Sequence, residues 1–233
     1  MRIAVFSDIH GNYQALCAIL NHIKKNNIDR IIYLGDAVSI GPDSSLCVKK
    51  LINDADIFIL GNHEHYIIEG SQIDPDMSDE EIKHNNWLLK TIDKQDINIL
   101  SGYKNSYEFI INNKKMLFLH FFLSDGIYPY EHLSIYKTDK YKEIINNIDT
   151  DYIFYGHFHP GRYDEVGHKK CYCIGSSGCV HNDTTYYYVI DTLKEINVKK
   201  VELKYNRKKF ENRINNMNYP EIDMIKKSFF GIK

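Results

Sequence analysis

Five short apolar runs along this chain each end in a cluster of Asp, Asn or His residues, and this repeated arrangement limits the folds open to it. The clusters are Asp8-Ile9-His10-Gly11-Asn12, Gly35-Asp36, Gly61-Asn62-His63-Glu64, His120 and Gly156-His157-Phe158-His159. Each lies where a parallel strand would end and a loop begin, the usual place for active sites in open α/β sheets. We therefore expect the five loops to meet at one edge of a sheet.

The N-terminal quarter of the chain alternates strand and helix signals. Apolar, β-branched runs at residues 3–6, 31–34 and 57–60 predict strands buried on both faces of a parallel sheet. Between them, residues 12–25 and 44–52 carry apolar side chains at helical spacing behind helix-start signals. The resulting βαβαβ unit predicts a doubly wound layer with right-handed crossovers.

The rest of the chain has shorter strand signals. We expect a helix at 82–92 and strands at 107–111, 116–120, 152–155, 171–174, 185–190 and 198–203. Asn112-Asn113 is expected to join the first two of these strands as a hairpin turn. At 233 residues the chain is long enough for one buried core and short for two, so we expect a single domain over residues 1–233.

The net charge limits the binding partners that we expect for this protein, and the number of cysteines indicates its cellular compartment. The 29 basic and 31 acidic residues give a net charge of -2. The chain therefore has no excess of positive charge that would attract duplex nucleic acid or an anionic membrane. No stretch approaches the roughly 20 apolar residues of a membrane span, and the N-terminal apolar run is too short for a signal peptide. Five cysteines, an odd number, argue against a disulfide framework and fit a reducing compartment, so we expect a cytoplasmic protein.

Three of the cysteines allow two interpretations. Cys171, Cys173 and Cys179 lie close enough in sequence to suggest a zinc-thiolate site. We favour packing instead, because Cys171 and Cys173 share one face of a predicted strand and no second cysteine pair completes the zinc spacing.

The side chains at the five predicted strand ends are carboxylates, imidazoles and carboxamides. This mixed set of oxygen and nitrogen ligands suits paired divalent ions of the manganese, iron or zinc kind. Two ions about 3.5 to 4 Å apart need a carboxylate that bridges them, and Asp36 is the candidate. A single Asp is more often a turn former and a single His a surface or core residue, so the prediction depends on the ordered set. The set predicts a two-metal phosphoesterase.

The ordered motifs Asp-x-His, Gly-Asp, Gly-Asn-His-Glu, His and Gly-His-x-His resemble those of the calcineurin-like metallophosphoesterase superfamily. The resemblance runs from Arg2 to about Tyr205. The opening motif and Gly41-Pro42-Asp43 are most similar to the small, single-domain prokaryotic phosphodiesterases and phosphatases. The resemblance implies an α/β (α+β) fold, a four-layer αββα sandwich in which two mixed β-sheets are flanked by helices, with a C-terminal helical tail at about 206–231.

The resemblance also implies roles for the site residues. One metal would take Asp8, His10, Asp36 and His159, and the other Asp36, Asn62, His120 and His157. The family assigns His63 the role of general acid, which protonates the leaving group. From the chemistry of metal-bound water we expect a hydroxide that bridges the two metals to attack phosphorus in line, and we expect the adjacent Glu64 to orient His63. Mn²⁺ is the first choice of cofactor, with iron, zinc, nickel, cobalt and magnesium as alternatives.

Substrate contacts are expected from Asn12 at a helix N-terminus and from Arg162, with helix capping and a solvated loop as the respective alternatives. The protein phosphatases and diadenosine tetraphosphate hydrolases of the superfamily carry Asp and Arg where this chain has Ser39-Ile40. We therefore expect a small phosphodiester or phosphomonoester, nucleotides included. Four aromatic residues are expected to pack rather than to stack on a nucleobase: Phe121, Phe122, Tyr128 and Tyr130.

Three alternatives to this function stay open: a non-catalytic protein-interaction scaffold with the same fold, a nucleoside polyphosphate hydrolase and a protein phosphatase. The presence of His63 favours an enzyme over the scaffold. The sequence does not decide between a monomer and a homo-oligomer.

Overall fold

Two five-stranded mixed sheets form the centre of the protein in a computed structural model, which describes residues 1–123, 131, 135 and 137–232. The strands are β1 (Arg2–Phe6), β2 (Arg30–Tyr33), β3 (Ile57–Phe58), β4 (Ser106–Ile111), β5 (Lys114–Leu119), β6 (Tyr152–Tyr155), β7 (Arg162–Val166), β8 (Lys169–Cys173), β9 (Thr184–Asp191) and β10 (Asn197–Lys204). The first sheet has the order β10-β9-β1-β2-β3, and the second has the order β4-β5-β6-β8-β7. Parallel strands lie at the centre of both sheets, because β1 pairs in parallel with β2, and β6 with β5 and β8.

Helices cover the outer faces of the two sheets. They are α1 (Tyr13–Ile23), α2 (Ser44–Asp54), α3 (Asn62–Ile68), α4 (Asp79–Leu88), α5 (Lys94–Leu100), α6 (Asp139–Asn147), α7 (Arg207–Asn215) and α8 (Ile222–Phe230). The predicted helical tail at 206–231 consists of the two helices α7 and α8, since Pro220 lies between them and proline disrupts a continuous helix. None of the helices in the described ranges has both the length and the apolar character needed to cross a membrane.

Alternating side chains on β1 show how the layers are held together. Ile3 and Val5 point into the core between the two sheets, where they join residues such as Phe118 and Phe154. Ala4 and Phe6 point the other way, into the core beneath α1 and α2. A strand with apolar residues on both faces is buried on both sides, as the continuous apolar run predicted. The predicted four-layer αββα sandwich is confirmed.

Strand β7 and helix α6 were not predicted from the sequence, and neither were the short helices α3 and α5. Strand β7 has the polar sequence Arg-Tyr-Asp-Glu-Val, and it pairs antiparallel with β8 at the edge of the second sheet through a turn at Gly167. Helix α6 packs Tyr141 and Ile145 onto the same sheet. Both elements are mostly polar in sequence, because each has one face exposed to solvent.

Candidate metal centre

All five predicted loops meet at one edge of the two sheets. Asp8 and His10 follow β1, Asp36 follows β2 and Asn62 follows β3. His120 follows β5, and His157 with His159 follows β6. Backbone hydrogen bonds connect the loops: Asp8 N donates to Gly35 O at 2.9 Å, and Gly156 N donates to His120 O at 2.8 Å. The edge is therefore built from the carboxyl ends of parallel strands in both sheets.

The carboxylate of Asp36 lies between two groups of side chains. Its Oδ2 is 3.7 Å from Nε2 of His10 and 3.2 Å from Nε2 of His120. Its Oδ1 accepts a hydrogen bond from the backbone N–H of His63 at 3.0 Å. Asp36 also has one oxygen in each of two triads of candidate ligand atoms, one with His10 and His63 and one with His120 and His157. This position is the one that a carboxylate shared by two cations would occupy.

On one side of Asp36, Asp8, His10 and His159 converge. Nε2 of His10 is 3.0 Å from Nε2 of His159. Oδ1 of Asp8 lies 3.8 Å from the first of these nitrogens and 3.5 Å from the second. Asp8 and His10 are fully buried, so no bulk water solvates them.

On the other side of Asp36, the amide oxygen of Asn62 is the meeting point of two imidazoles. Asn62 Oδ1 is 3.1 Å from Nε2 of His120 and 3.0 Å from Nδ1 of His157. The structure thus brings together all seven residues predicted as metal ligands. Their role as ligands stays a prediction.

The tautomers of two histidines show that this donor set fits cations. Nδ1 of His10 lies 2.9 Å from the carbonyl oxygen of Val38, and Nδ1 of His120 lies 2.8 Å from that of Leu34. A carbonyl only accepts, so each Nδ1 carries a proton, and each Nε2 either holds a second proton or, once the ring is neutral, presents a lone pair to the site. Those lone pairs face other acceptors, and Oδ1 of Asp8 is buried with no hydrogen-bond partner among the described residues. Divalent cations satisfy such a set of inward-facing acceptors.

The pKa values reflect the same excess of negative charge. Burial alone would lower the pKa of His120, but the charges of Asp36 and Asp8 and a hydrogen bond to Asp36 raise it to about 9. Burial would raise the pKa of Asp36, but the imidazoles of His120, His63 and His10 outweigh that effect and hold it well below its ordinary value. The carboxylates are therefore stabilised as anions by any positive charge in the site, whether a proton or a metal ion.

Backbone strain is concentrated at the candidate ligands. Four of them have positive φ angles, a region that costs a non-glycine residue of order 1 to 3 kcal/mol: Asp8 at 53°, His10 at 44°, Asp36 at 61° and His157 at 65°. Such strained residues cluster at active sites, where the surrounding structure holds them in place.

Two glycines explain why the motifs read Gly-Asn and Gly-His. A Cβ atom on Gly61 would lie 2.2 Å from Oδ1 of Asp36, and one on Gly156 would lie 2.1 Å from Oγ of Ser7 and 2.5 Å from Oδ2 of Asp8. Any larger residue would displace the carboxylates, so the glycines permit the close packing of the loops.

Glu64 connects the loops instead of orienting His63, so that prediction is wrong. Its buried carboxylate accepts hydrogen bonds from backbone N–H groups of Gly61 at 2.9 Å, Asp36 at 2.7 Å, Ala37 at 2.8 Å and Val38 at 3.3 Å. Glu64 therefore fixes the loop that carries the Asp36 carboxylate.

His63 lies at the site without a fixed ring partner. Its ring is edge-on to His10, with centroids 5.0 Å apart, and to Tyr66, with centroids 5.5 Å apart. Its Nδ1 is buried and has no hydrogen-bond partner within the described ranges. Burial lowers the pKa of His63 to about 3, with the neighbouring histidines adding to the shift and Asp36 opposing it. The ring is therefore neutral near pH 7.

The two predicted substrate contacts gain no support from the geometry. Asn12 caps α1 by accepting from Ala15 N at 3.1 Å, and its Nδ2 donates to Gly178 O at 2.8 Å. Arg162 forms an ion pair with Asp164 and lies over the ring of Tyr141, 5.4 Å from its centroid. Both side chains have structural partners, and Arg162 is absent from the lining of the cavity described below.

The aromatic residues after His120 pack in the interior, in line with the prediction. Phe121 and Phe122 are both buried, and Phe121 lies against His157 with centroids 4.7 Å apart. Phe122 packs on Tyr155. Tyr128 and Tyr130 lie outside the described residues.

Cys179 lies at the site, although packing was the favoured interpretation for the three neighbouring cysteines. Its sulfur belongs to a triad of candidate ligand atoms with His10 and His159. The nearest sequence signal is the Gly175-Ser176-Ser177-Gly178 turn that precedes it, which by itself says nothing about where the thiol lies.

A cavity of about 620 Å³ opens directly over the centre. Asp36, Asn62, His63, His157 and His159 form its floor. Its walls come from the loop at Ser39 and Ile40, from α4 and from α8, and they include Tyr66, Met77, Met224 and Phe229. A small molecule bound in this cavity would contact the candidate metal ligands.

Comparison with known proteins identifies the family. The family model for calcineurin-like phosphoesterases matches residues 1–161. An uncharacterised protein of Methanocaldococcus jannaschii is 33% identical over 158 residues, which cover 67% of this chain but only 62% of that relative's length.

Solved structures agree on the fold. A metallophosphoesterase from Sphaerobacter thermophilus is 20% identical with a TM-score of 0.72, over 97% of this chain and 98% of that one. A hypothetical protein from Pyrococcus horikoshii is 20% identical with a TM-score of 0.75, over 100% and 99%. Because the family model spans well over half of the sequence and covers all seven predicted metal ligands, this chain belongs to the calcineurin-like phosphoesterase family.

Proposed function

We propose that this protein hydrolyses small phosphoesters with two divalent metal ions, held by Asp8, His10, Asp36 and His159 on one side and by Asp36, Asn62, His120 and His157 on the other. The observation that carries the proposal is the position of Asp36 Oδ2, 3.7 Å from His10 Nε2 and 3.2 Å from His120 Nε2. Manganese is the first metal to test, with zinc and iron as the alternatives.

Three residues of the chain have separate roles beside the two metal ions. When bound, two divalent ions lower the pKa of water by many units and neutralise charge on the phosphoryl oxygens. Asp36 belongs to both sets of ligands and so fixes one set relative to the other. The neutral amide of Asn62 limits the anionic charge that faces the substrate. His63 holds the proton for the leaving group, and an anionic phosphoester beside its ring supplies the charge that favours its protonated form.

The cavity favours a diester with an apolar substituent. None of the described residues that line it is a lysine or arginine, whereas Glu80, Glu81 and Glu221 are among them. Acidic walls disfavour polyphosphates, which carry several negative charges, more than a diester with only one. Ile40 lies where the related polyphosphate hydrolases carry their phosphate-binding arginine, and it is buried, with its backbone N–H donating to Nε2 of His84 at 3.2 Å. We therefore propose a phosphodiester as the preferred substrate.

We also propose that residues 1–233 act as one domain. One apolar cluster joins Ala15 of α1 and Ile40 of the site loop to Phe210 of α7 and Phe230 of α8. The C-terminal helices thus share a core with the metal centre's own loops.

The test compares two buried carboxylates. Asp36→Asn removes the charge that two cations would share, and Asp96→Asn neutralises another buried carboxylate, on α5 outside the site. With added Mn²⁺ and a chromogenic phosphodiester, we expect Asp36→Asn to lose turnover and metal stoichiometry together, while Asp96→Asn keeps both.

Two outcomes would contradict this proposal. Two bound metals and near-normal turnover in Asp36→Asn would refute the bridging role. Metal binding without hydrolysis of monoesters, diesters or dinucleoside polyphosphates by the wild-type protein would favour the protein-interaction scaffold.

A further inference from the structure

We infer that Cys179 is an additional metal ligand, which supplies a thiolate to the ion held by Asp8, His10, Asp36 and His159 and shifts this position from manganese towards zinc. The inference rests on the proposed function, because it uses the same metal centre. It concerns the choice of metal rather than the reaction.

The first observation is geometric. The Cys179 sulfur and one ring nitrogen each of His10 and His159 all lie within 4.8 Å of one another. A zinc ion binds sulfur at about 2.3 Å and imidazole nitrogen at about 2.0 to 2.1 Å, so two of its ligands lie at most about 4.4 Å apart. Small side-chain adjustments bring the three atoms onto one ion.

A second, independent observation points to the same place. Oδ1 of Asp8 is fully buried and lacks a hydrogen-bond partner among the described residues. It lies 3.8 Å from Nε2 of His10 and 3.5 Å from Nε2 of His159. An unpartnered buried carboxylate oxygen is costly, and a cation at this position would satisfy it together with the thiolate.

The backbone fixes the position of Cys179 relative to the ligand loop. Gly178 N donates to Asp8 O at 3.1 Å, and Ser176 Oγ donates to Asp8 O at 2.7 Å. Asn12 Nδ2 donates to Gly178 O at 2.8 Å, and Cys179 N donates to Ser176 Oγ at 2.8 Å. The two loops are therefore joined at Asp8 and at Asn12, and these contacts hold the thiol beside His10.

The other cysteines are placed differently. Cys171 and Cys173 are buried in the apolar core of the second sheet, where thiols pack as small hydrophobes. Cys17 is half-buried on α1 and belongs to none of the candidate ligand groups found in the described ranges. Cys17 is accordingly a control of similar exposure for Cys179.

The chemistry of sulfur sets the expected selectivity. Thiolate is a soft ligand that favours zinc, whereas manganese prefers carboxylate, carbonyl and water oxygens. On binding, the thiol loses its proton to solvent and the sulfur lone pair forms the bond to the metal, so metal uptake releases one further proton.

The experiment uses cobalt as a spectroscopic probe on the whole 233-residue chain. Wild type, Cys179→Ser and Cys17→Ser are freed of metal with a chelator and titrated with Co²⁺. Sulfur-to-cobalt charge transfer absorbs strongly in the near ultraviolet, and oxygen and nitrogen ligands do not produce that band. We expect the band in wild type and in Cys17→Ser and its loss in Cys179→Ser.

Competition with a metal indicator then measures selectivity. Zn²⁺ affinity in Cys179→Ser should fall by at least about tenfold, the lower end of the loss seen even for outer partners of metal ligands. Mn²⁺ affinity should fall less. Circular dichroism checks that the variant keeps its fold.

The outcomes separate this inference from the proposed function. Two equivalents of bound cobalt without a charge-transfer band in wild type would overturn the thiolate ligand and leave the two-metal centre standing. A band that persists in Cys179→Ser, or equal losses of Zn²⁺ and Mn²⁺ affinity, would also overturn it. Failure of the wild type to bind cobalt would refute both.

Discussion

Glu64→Gln tests whether the metal centre depends on hydrogen bonds to the backbone of the Asp36 loop. Oε2 of Glu64 accepts from Asp36 N and Gly61 N, and Oε1 accepts from Ala37 N and Val38 N. Glutamine has the same shape but replaces one of the two oxygens with an NH₂ group, which cannot accept. Whichever way the amide turns, two backbone N–H groups lose their acceptor.

The magnitude follows from that count. A buried donor left without a partner costs about 1 to 3 kcal/mol, so two of them should lower the free energy of unfolding by about 2 to 6 kcal/mol. This loss is large against the roughly 5 to 15 kcal/mol total stability of a typical domain. Because the loosened loop carries Asp36, metal affinity should fall as well.

The assay is urea denaturation of the metal-free protein, followed by metal titration of the folded variant. Glu69→Gln is the matched control, because Glu69 is at the end of the same helix and its side chain is 42% exposed. We expect the control to change stability by less than about 1 kcal/mol. If Glu64→Gln is as stable as Glu69→Gln and binds metal normally, the loop is not held by this carboxylate.

Three further predictions concern the proton and the metal. His63→Ala should keep both metals yet lose about 10² to 10⁴ in rate on poor leaving groups, with a smaller loss on nitrophenolate; parallel leaving-group dependences in the two proteins would remove His63 from the acid role. In the metal-free protein the folded-state pKa of His120 is about 9, above its unfolded value of 6.5, so its contribution to stability is complete below pH 6.5 and lost as the pH rises through 9. Urea denaturation should show that the free energy of unfolding declines by about 3 kcal/mol over this pH range in chelated protein but not in metal-loaded protein. A free energy of unfolding that does not change with pH in the metal-free protein would refute the prediction. Activity should fall on the acid side and recover with excess Mn²⁺, since the ligand histidines must be neutral; an acid limb that added Mn²⁺ does not move would show that another group sets it.

The strands and the site loops could be predicted because their sequence patterns have a direct physical cause. The run at 152–155 is apolar throughout since β6 is buried on both faces, and the structure gives the same bounds, Tyr152–Tyr155. The ligand clusters follow such runs because parallel strands end at a common edge.

Contacts between distant segments could not be predicted. Cys179 looked like one of three nearby cysteines, and only the hydrogen bonds between its loop and Asp8 bring it to His10. Glu64 looked like a partner for the adjacent His63, but its side chain contacts residues 26 to 28 positions earlier in the chain. Neither sequence spacing nor residue type encodes which backbone groups a side chain will meet.

The strained backbone and the hydrogen bonds between loops belong to one arrangement. Asp8, His10, Asp36 and His157 adopt positive φ angles that isolated loops would abandon. Each is held by a contact to a different loop: Asp8 N donates to Gly35 O at 2.9 Å, His10 N donates to Asp36 O at 2.9 Å, and His157 N donates to Asp8 Oδ2 at 3.2 Å. Asp36 N is held by Glu64 at 2.7 Å. Because these bonds join protein groups only, the candidate ligands are placed without a metal, and the free energy of binding a metal there need not be spent on ordering them.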